Sequence, residues 1–214
     1  MTDRRRQALE TRVARILEAA GAAPPHRGTA TTLVLTAGLP GSGKSTFVRR
    51  LALATGAAVL ESDALRQLLF GEPSYSAAEN RRLFEALPAA ARELLERGRN
   101  VIIDATNLRE SDRQPAYSLA KETGARLLIL RFSAPDSVIR QRLALRRDGA
   151  DPRESSSAGL AVYRMMAERE EPLTRDHWQS DTSDAAATDS AFSRVVEACR
   201  SRTAGALGMG GTTP

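Results

Sequence analysis

The sequence predicts an α/β fold in three layers: about five parallel strands in one sheet, helices on both faces, and a small helical lid. Three observations predict it. Short apolar runs alternate with longer segments of helical periodicity along most of the 214 residues, as in a parallel sheet joined by crossover helices. The first apolar run, Leu33 to Thr36, passes through the glycine-rich stretch Gly38-Leu39-Pro40-Gly41-Ser42-Gly43-Lys44-Ser45 into a helix. Two later runs are followed by, or end in, the acids Asp63 and Asp104, and open parallel sheets bind ligands beyond the carboxyl ends of their strands.

In chain order, Arg4 to Ala20 place Leu9, Val13, Ile16, Leu17 and Ala20 on one helical face. A helix docked on the core is the expected reading, with a nucleic-acid-binding arm as the alternative. Gly21 to Ala30, containing Pro24-Pro25, reads as a linker. Lys44 to Thr55 form a helix ended by Gly56, Ala57 to Leu60 a strand, and Ser62 to Phe70 a helix stopped by Gly71. Ser76 and Glu79 form a capping box opening a helix to about Arg97, with a kink expected at Pro88. Asn100 to Asp104 and Leu127 to Phe132 are strands, each followed by a helix, Ser111 to Thr123 and Pro135 to Arg147. Asp148 to Ser157 read as a polar, mobile segment before a helix from Ala158 to Glu170. A polar last strand at His177 to Ser180 and a helix from Asp189 to Arg202 complete the pattern. The domain division is thus 1–30, an amphipathic helix and linker; 31–202, the α/β domain with a lid at about 146–172; and 203–214, a disordered tail rich in glycine and threonine.

The glycine-rich stretch fits the phosphate-binding pattern G-x-x-x-x-G-K-[ST]. A polyphosphate is held by several backbone N–H groups converging on it, which requires residues that tolerate sharp curvature and close approach. Gly38, Gly41 and Gly43 supply that freedom and Pro40 stiffens the turn. Leu39, Ser42 and Thr46 contribute backbone to the cradle, and the helix N-terminus adds unpaired donors. Lys44 can reach the β- and γ-phosphates, and the Ser45 hydroxyl can ligate Mg²⁺. Nucleoside-triphosphate binding follows. No N-K-x-D guanine reader and no L-S-G-G-Q signature is present, which argues against a GTP switch and a transporter-type ATPase.

Asp63 can take a proton from an attacking hydroxyl, or simply complement the dipole of the helix it opens. Asp104, at a strand end, can hold Mg²⁺ through water or seat an acceptor, and Thr106 and Asn107 add hydrogen-bonding groups. Arg140, Arg142, Arg146 and Arg147 share one helix, with Arg142 and Arg146 on the same face. Guanidinium groups on a closing lid would neutralise charge on a transferred phosphoryl, whereas a solvated face is the plainer reading.

The formal net charge is +5, of which residues 1–27 carry +3. The body is nearly balanced, which gives little support to a polyanionic partner. The single cysteine, Cys199, reads as a buried thiol in a reducing compartment. No apolar run approaches membrane-spanning length and the N-terminus lacks an apolar signal region, so a cytoplasmic location is expected.

GLPGSGKST, SDALR, VIIDATNL and APDSVIRQRLALRR, followed by a polar lid and Tyr163, together resemble P-loop kinases of the polynucleotide-kinase and zeta-toxin-like group over about residues 32–172. The resemblance implies a P-loop NTPase core of five parallel strands and ATP with Mg²⁺ as phosphoryl donor. It implies Asp63 as general base, Arg66 on the acceptor side, and Arg142 and Arg146 as lid arginines beside Lys44 and Ser45. Asp104 to Asn107 match the segment lining the acceptor pocket, and Arg113 an arginine that follows it. The acceptor so implied is a polynucleotide 5′-hydroxyl. A nucleoside, sugar or amino-sugar nucleotide is the alternative, and an ATP-binding regulatory module without transfer is a third reading.

Overall fold

The computed structural model describes residues 2–21, 30–147 and 160–200. Among them the chain runs α1 (Asp3–Ala19), β1 (Thr32–Ala37), α2 (Lys44–Thr55), β2 (Ala58–Glu61), α3 (Ser62–Phe70), α4 (Ala77–Glu96), β3 (Val101–Asp104), α5 (Glu110–Thr123), β4 (Arg126–Ser133), α6 (Asp136–Arg147), α7 (Leu160–Ala167), β5 (Trp178–Asp181) and α8 (Ala185–Arg200). The five strands form one parallel sheet in the order β2-β3-β1-β4-β5. The chain's expected linker interior, the polar segment between α6 and α7, and the tail lie outside the described residues.

Strand alternation divides the core. Leu33, Leu35, Leu60, Val101, Ile103 and Ile129 face one layer with α3, α4 and α5. Val34, Ile102, Leu130 and Phe132 face the other, against Phe47, Val48 and Leu51 of α2 and Val195 and Cys199 of α8. Covered on both faces, β1 is buried at all six positions, which is why it reads as an unbroken apolar run. Register does the rest: Leu35 pairs with Ile103 and Glu61 with Asp104. The ends of β2 and β3 therefore stand side by side next to the loop leaving β1, at the point where the strand order reverses.

The leader is part of the core. Ile16 is fully buried in the cluster of α3, α4 and α5. Arg15 donates to the carbonyls of Leu68 and Leu69, closing the C-terminal end of α3. Arg99 donates to Gly21 O at 2.6 Å, doing the same for α1. The exposed Arg5–Glu85 pair adds less than about 1 kcal/mol. The helix thus docks on α3 and α4, as its apolar face indicates.

Smaller departures have local causes. Ser76 accepts the Glu79 N–H, but the Glu79 carboxylate turns away to Arg66 and Ser74, so only half of the expected capping box forms. The helix α4 continues through Pro88 from Ala77 to Glu96. Asp184 accepts the Ala187 N–H at 3.0 Å, starting α8 four residues before the expected Asp189. The last strand lies one residue later than its pattern indicates, at Trp178–Asp181.

Ile16→Ala, which empties a fully enclosed site, is expected to cost about 2–4 kcal/mol, measured as a lowered urea midpoint at unchanged slope.

Candidate functional site

The loop between β1 and α2 is shaped by two close approaches. At Gly38, φ is +139°, and a Cβ there would stand 2.4 Å from the Phe132 carbonyl oxygen of β4. At Gly43, φ is +85°, and a Cβ would stand 2.9 Å from Thr182 Oγ1. Only glycine allows both the backbone conformation and the contact. The loop is braced from outside: Gly38 N–H donates to Thr106 O at 2.9 Å, and Thr182 Oγ1 donates to Ser42 O at 2.9 Å. Ser42 Oγ is buried without a partner, so the cradle holds unused polar capacity of the kind an anion's oxygens would use. Lys44 Nζ donates to the carbonyls of Gly38 and Leu39 at 2.8 and 2.9 Å.

Beside this loop lies a cleft of about 830 Å³. Lys44 and Ser45 line it from the loop, Asp63 and Arg66 from the first turns of α3, and Asp104, Thr106 and Asn107 from the end of β3 onward. Asp104 is only 3% exposed. Burial pushes its carboxyl above the ordinary range, while Lys44 and hydrogen bonds from Thr36 and Ser45 pull it down. The Thr36 hydroxyl lies 2.9 Å from Asp104 Oδ1. Burial also raises Asp63, opposed by the charges of Arg66 and Lys44. The charge of Asp63 adds a smaller upward push on Asp104.

Asn107 sits at φ +45°, held because its side-chain amide donates to Thr36 O at 2.7 Å. Arg66 is buried. It donates to Glu79 Oε1 at 2.7 Å and Asn80 Oδ1 at 2.6 Å, and its guanidinium lies 4.8 Å from the Tyr75 ring centroid. Arg66 and two hydrogen bonds from Ser74 hold Glu79 down at about 2, below its ordinary 4.5.

The structure places two expected arginines differently from the cleft residues. Arg142 does not line the cleft: its guanidinium donates to Gly41 O (3.2 Å), Thr182 Oγ1 (2.8 Å) and Thr182 O (2.9 Å), so it clamps the turn after β5 against the loop. Arg113, 1% exposed, does not line it either. It donates to the carbonyls of Asn107, Leu108 and Pro172, tying the loop after β3 to the chain after α7. The corrections share a physical reason, since each guanidinium finds backbone carbonyls before it can reach open space. Arg146 lies on α6, and its side chain falls outside the described residues. Tyr163 donates to Asp136 at 2.8 Å and packs on Ile139 and Leu143, seating α7 on α6.

Sequence reading missed Thr182, the partners Glu79 and Asn80 of Arg66, and Arg109, Asp112, Phe84, Met165 and Arg169 in the cleft wall. Only Glu79 carried a signal, and its place in a capping pattern pointed to the wrong partner. No group of three or more His, Cys, Asp or Glu residues among the described ones could hold a metal alone. Ser45 with Asp104 is the donor set that fits Mg²⁺ arriving on a triphosphate.

Two outcomes follow. Gly38→Ala, colliding with the Phe132 carbonyl, is expected to lower ATP affinity at least about tenfold in calorimetry. Because the folded pKa of Glu79 lies below its unfolded value, its stabilisation is complete above pH 4.5 and is lost as pH falls toward 2. Glu79→Gln should therefore flatten the stability–pH curve across that window.

The AAA domain family matches residues 33–173. An uncharacterised protein of Mycobacterium tuberculosis, Rv2004c, is 33% identical over 143 residues, covering 61% of this chain but 29% of its own length. The chain thus spans under a third of the curated relatives it matches. Among solved structures, Chaetomium thermophilum Kti12 in complex with ADP-AlF3 superposes with a TM-score of 0.59 at 24% identity, covering 78% of this chain and 99% of that one. The Mycobacterium tuberculosis APS kinase CysC in complex with AMPPNP and APS gives 0.57 at 21% identity, over 83% and 100%. The fold is the three-layer P-loop NTPase fold of these structures, and with a family match across most of the α/β domain, the chain belongs to the AAA domain family.

Proposed function

We propose that this protein is an ATP-dependent kinase that moves the γ-phosphoryl group to a hydroxyl of a small acceptor. The observation that carries the reading is one cleft holding the phosphate loop with Lys44 and two carboxylates from different elements, Asp104 buried at the end of β3 and Asp63 part-buried in the first turn of α3. A site that only binds nucleotide has no need of a second carboxylate whose basicity is raised by burial.

In this reading the loop's N–H groups and Lys44 hold the phosphates, which requires Lys44 to give up the Gly38 and Leu39 carbonyls. Mg²⁺ would rest on Ser45 and Asp104 and, when bound, neutralises charge on the β- and γ-oxygens. Asp63 accepts the acceptor hydroxyl's proton as that oxygen bonds to the γ-phosphorus and the bond from phosphorus to the β–γ bridging oxygen breaks, releasing ADP. Arg66, fixed by Glu79 and Asn80, orients the first turn of α3 that carries Asp63.

A small acceptor suits the site better than a polynucleotide 5′ end. The nucleic-acid reading drew on the motif resemblance and on the basic leader, and within that leader Arg5 and Arg15 are engaged on α4 and α3. CysC, of the same fold, binds a nucleotide and a small substrate together.

Asp63→Asn is expected to keep ATP affinity within about threefold while lowering phosphoryl transfer by about 10²–10⁴, and Lys44→Ala to weaken ATP binding itself. Radiolabelled γ-ATP with filter and calorimetric readouts separates the two. Transfer by Asp63→Asn at the wild-type rate would remove Asp63 from the role of base. With both carboxyls raised by burial, the acidic limb of kcat/KM should lie above the ordinary aspartate range.

A further inference from the structure

Resting on the kinase reading, we infer that the acceptor is an uncharged alcohol with an apolar, aromatic-sized face. Five large apolar side chains stand exposed among the described residues, and three of them, Tyr75, Phe84 and Met165, line this one cleft at 50, 44 and 41% exposure. Leu53 and Leu145 are the other two and lie elsewhere. Independent surface exposure would not gather the three around a catalytic carboxylate, and concentrated exposed apolar surface marks a binding site. They come from three separate segments, the turn after α3, α4 and α7, so no single element's composition explains the cluster.

Charge points the same way. Once Lys44 and Asp104 are assigned to the triphosphate and its metal, the described ionisable groups left in the cleft are Arg66, Arg109 and Arg169 against Glu61, Asp63 and Asp112. Arg66 is moreover already paired with Glu79. This wall offers no excess of positive charge to a phosphorylated or polyanionic acceptor, for which clustered basic groups would be required. The occupant is therefore the acceptor: its hydroxyl at Asp63, its apolar face against Tyr75, Phe84 and Met165.

The test offers the 214-residue protein γ-labelled ATP and Mg²⁺ with matched acceptors: a hexose and its phenyl glycoside, ribose and a purine nucleoside, glycerol and its phenyl ether, and a 5′-hydroxyl oligonucleotide. An aryl-bearing member is expected to exceed its polar counterpart and the oligonucleotide in kcat/KM by at least about tenfold. Phe84→Ser and Met165→Ser, both at exposed positions, should each raise KM for that acceptor several-fold, with the thermal midpoint and the Kd of ATP preserved. If polar acceptors or the oligonucleotide are labelled as fast, or no aryl member is labelled although ATP binds, the apolar class is overturned. A weakened Kd of ATP in Phe84→Ser would overturn it too, by giving the wall to the adenine base. Failure to bind ATP at all would instead bring down the kinase reading beneath it.

Discussion

The loop between β1 and α2 must aim several backbone N–H groups at one point, and most of the molecule is arranged to let it do so. The constraint is steric before it is electrostatic. Gly38 passes under the Phe132 carbonyl so closely that a single methyl group would collide, which fixes the loop's height above β4. The same contact requires β1 and β4 to be neighbours in register, Thr36 beside Leu130 and Ala37 beside Arg131. Thr182 and Arg142 then close the other flank, so the loop is held from the sheet, from the turn after β5 and from α6. An anion site built this way is organised before any ligand arrives, which lowers the reorganisation needed on binding.

Parallel pairing makes this anchored loop one wall of a cleft lined with charged groups. Because β2, β3 and β1 all point the same way, the groups following their last residues share one rim. Asp104 is buried there beneath the loop, and Asp63 opens the helix next to it. Buried acids would ordinarily be costly, and Lys44 and the hydroxyls of Thr36 and Ser45 offset part of that cost. The arrangement keeps two carboxylates of raised basicity in one cleft with Lys44.

The helices on the α1 side give that rim its rigidity. Arg66 reaches from α3 to Glu79 and Asn80 of α4. A buried, charge-assisted pair of this geometry fixes orientation more than it adds net stability. In turn α1 lies on both helices, with Ile16 in their core and Arg15 on the last carbonyls of α3. The leader thus reaches the site through packing rather than by contact with a ligand.

What local sequence determined was the set of elements and the phosphate loop: strands buried on both faces read as unbroken apolar runs, and the loop's chemistry demands glycines and a lysine at fixed spacing. Asp63, Arg66, Asp104, Thr106 and Asn107 were legible for a related reason, since each follows a strand end or opens the helix there. Only the tertiary structure decided where the arginines point. Arg142 and Arg113 were expected toward a phosphate or an acceptor and instead hold backbone carbonyls of Gly41, Thr182, Asn107, Leu108 and Pro172. A guanidinium's partner depends on which distant loop ends come within its reach, and nothing in the local pattern encodes that distance. The apolar wall of Tyr75, Phe84 and Met165 was hidden likewise, because three single residues on three separate segments form a surface only once the fold gathers them around one cleft.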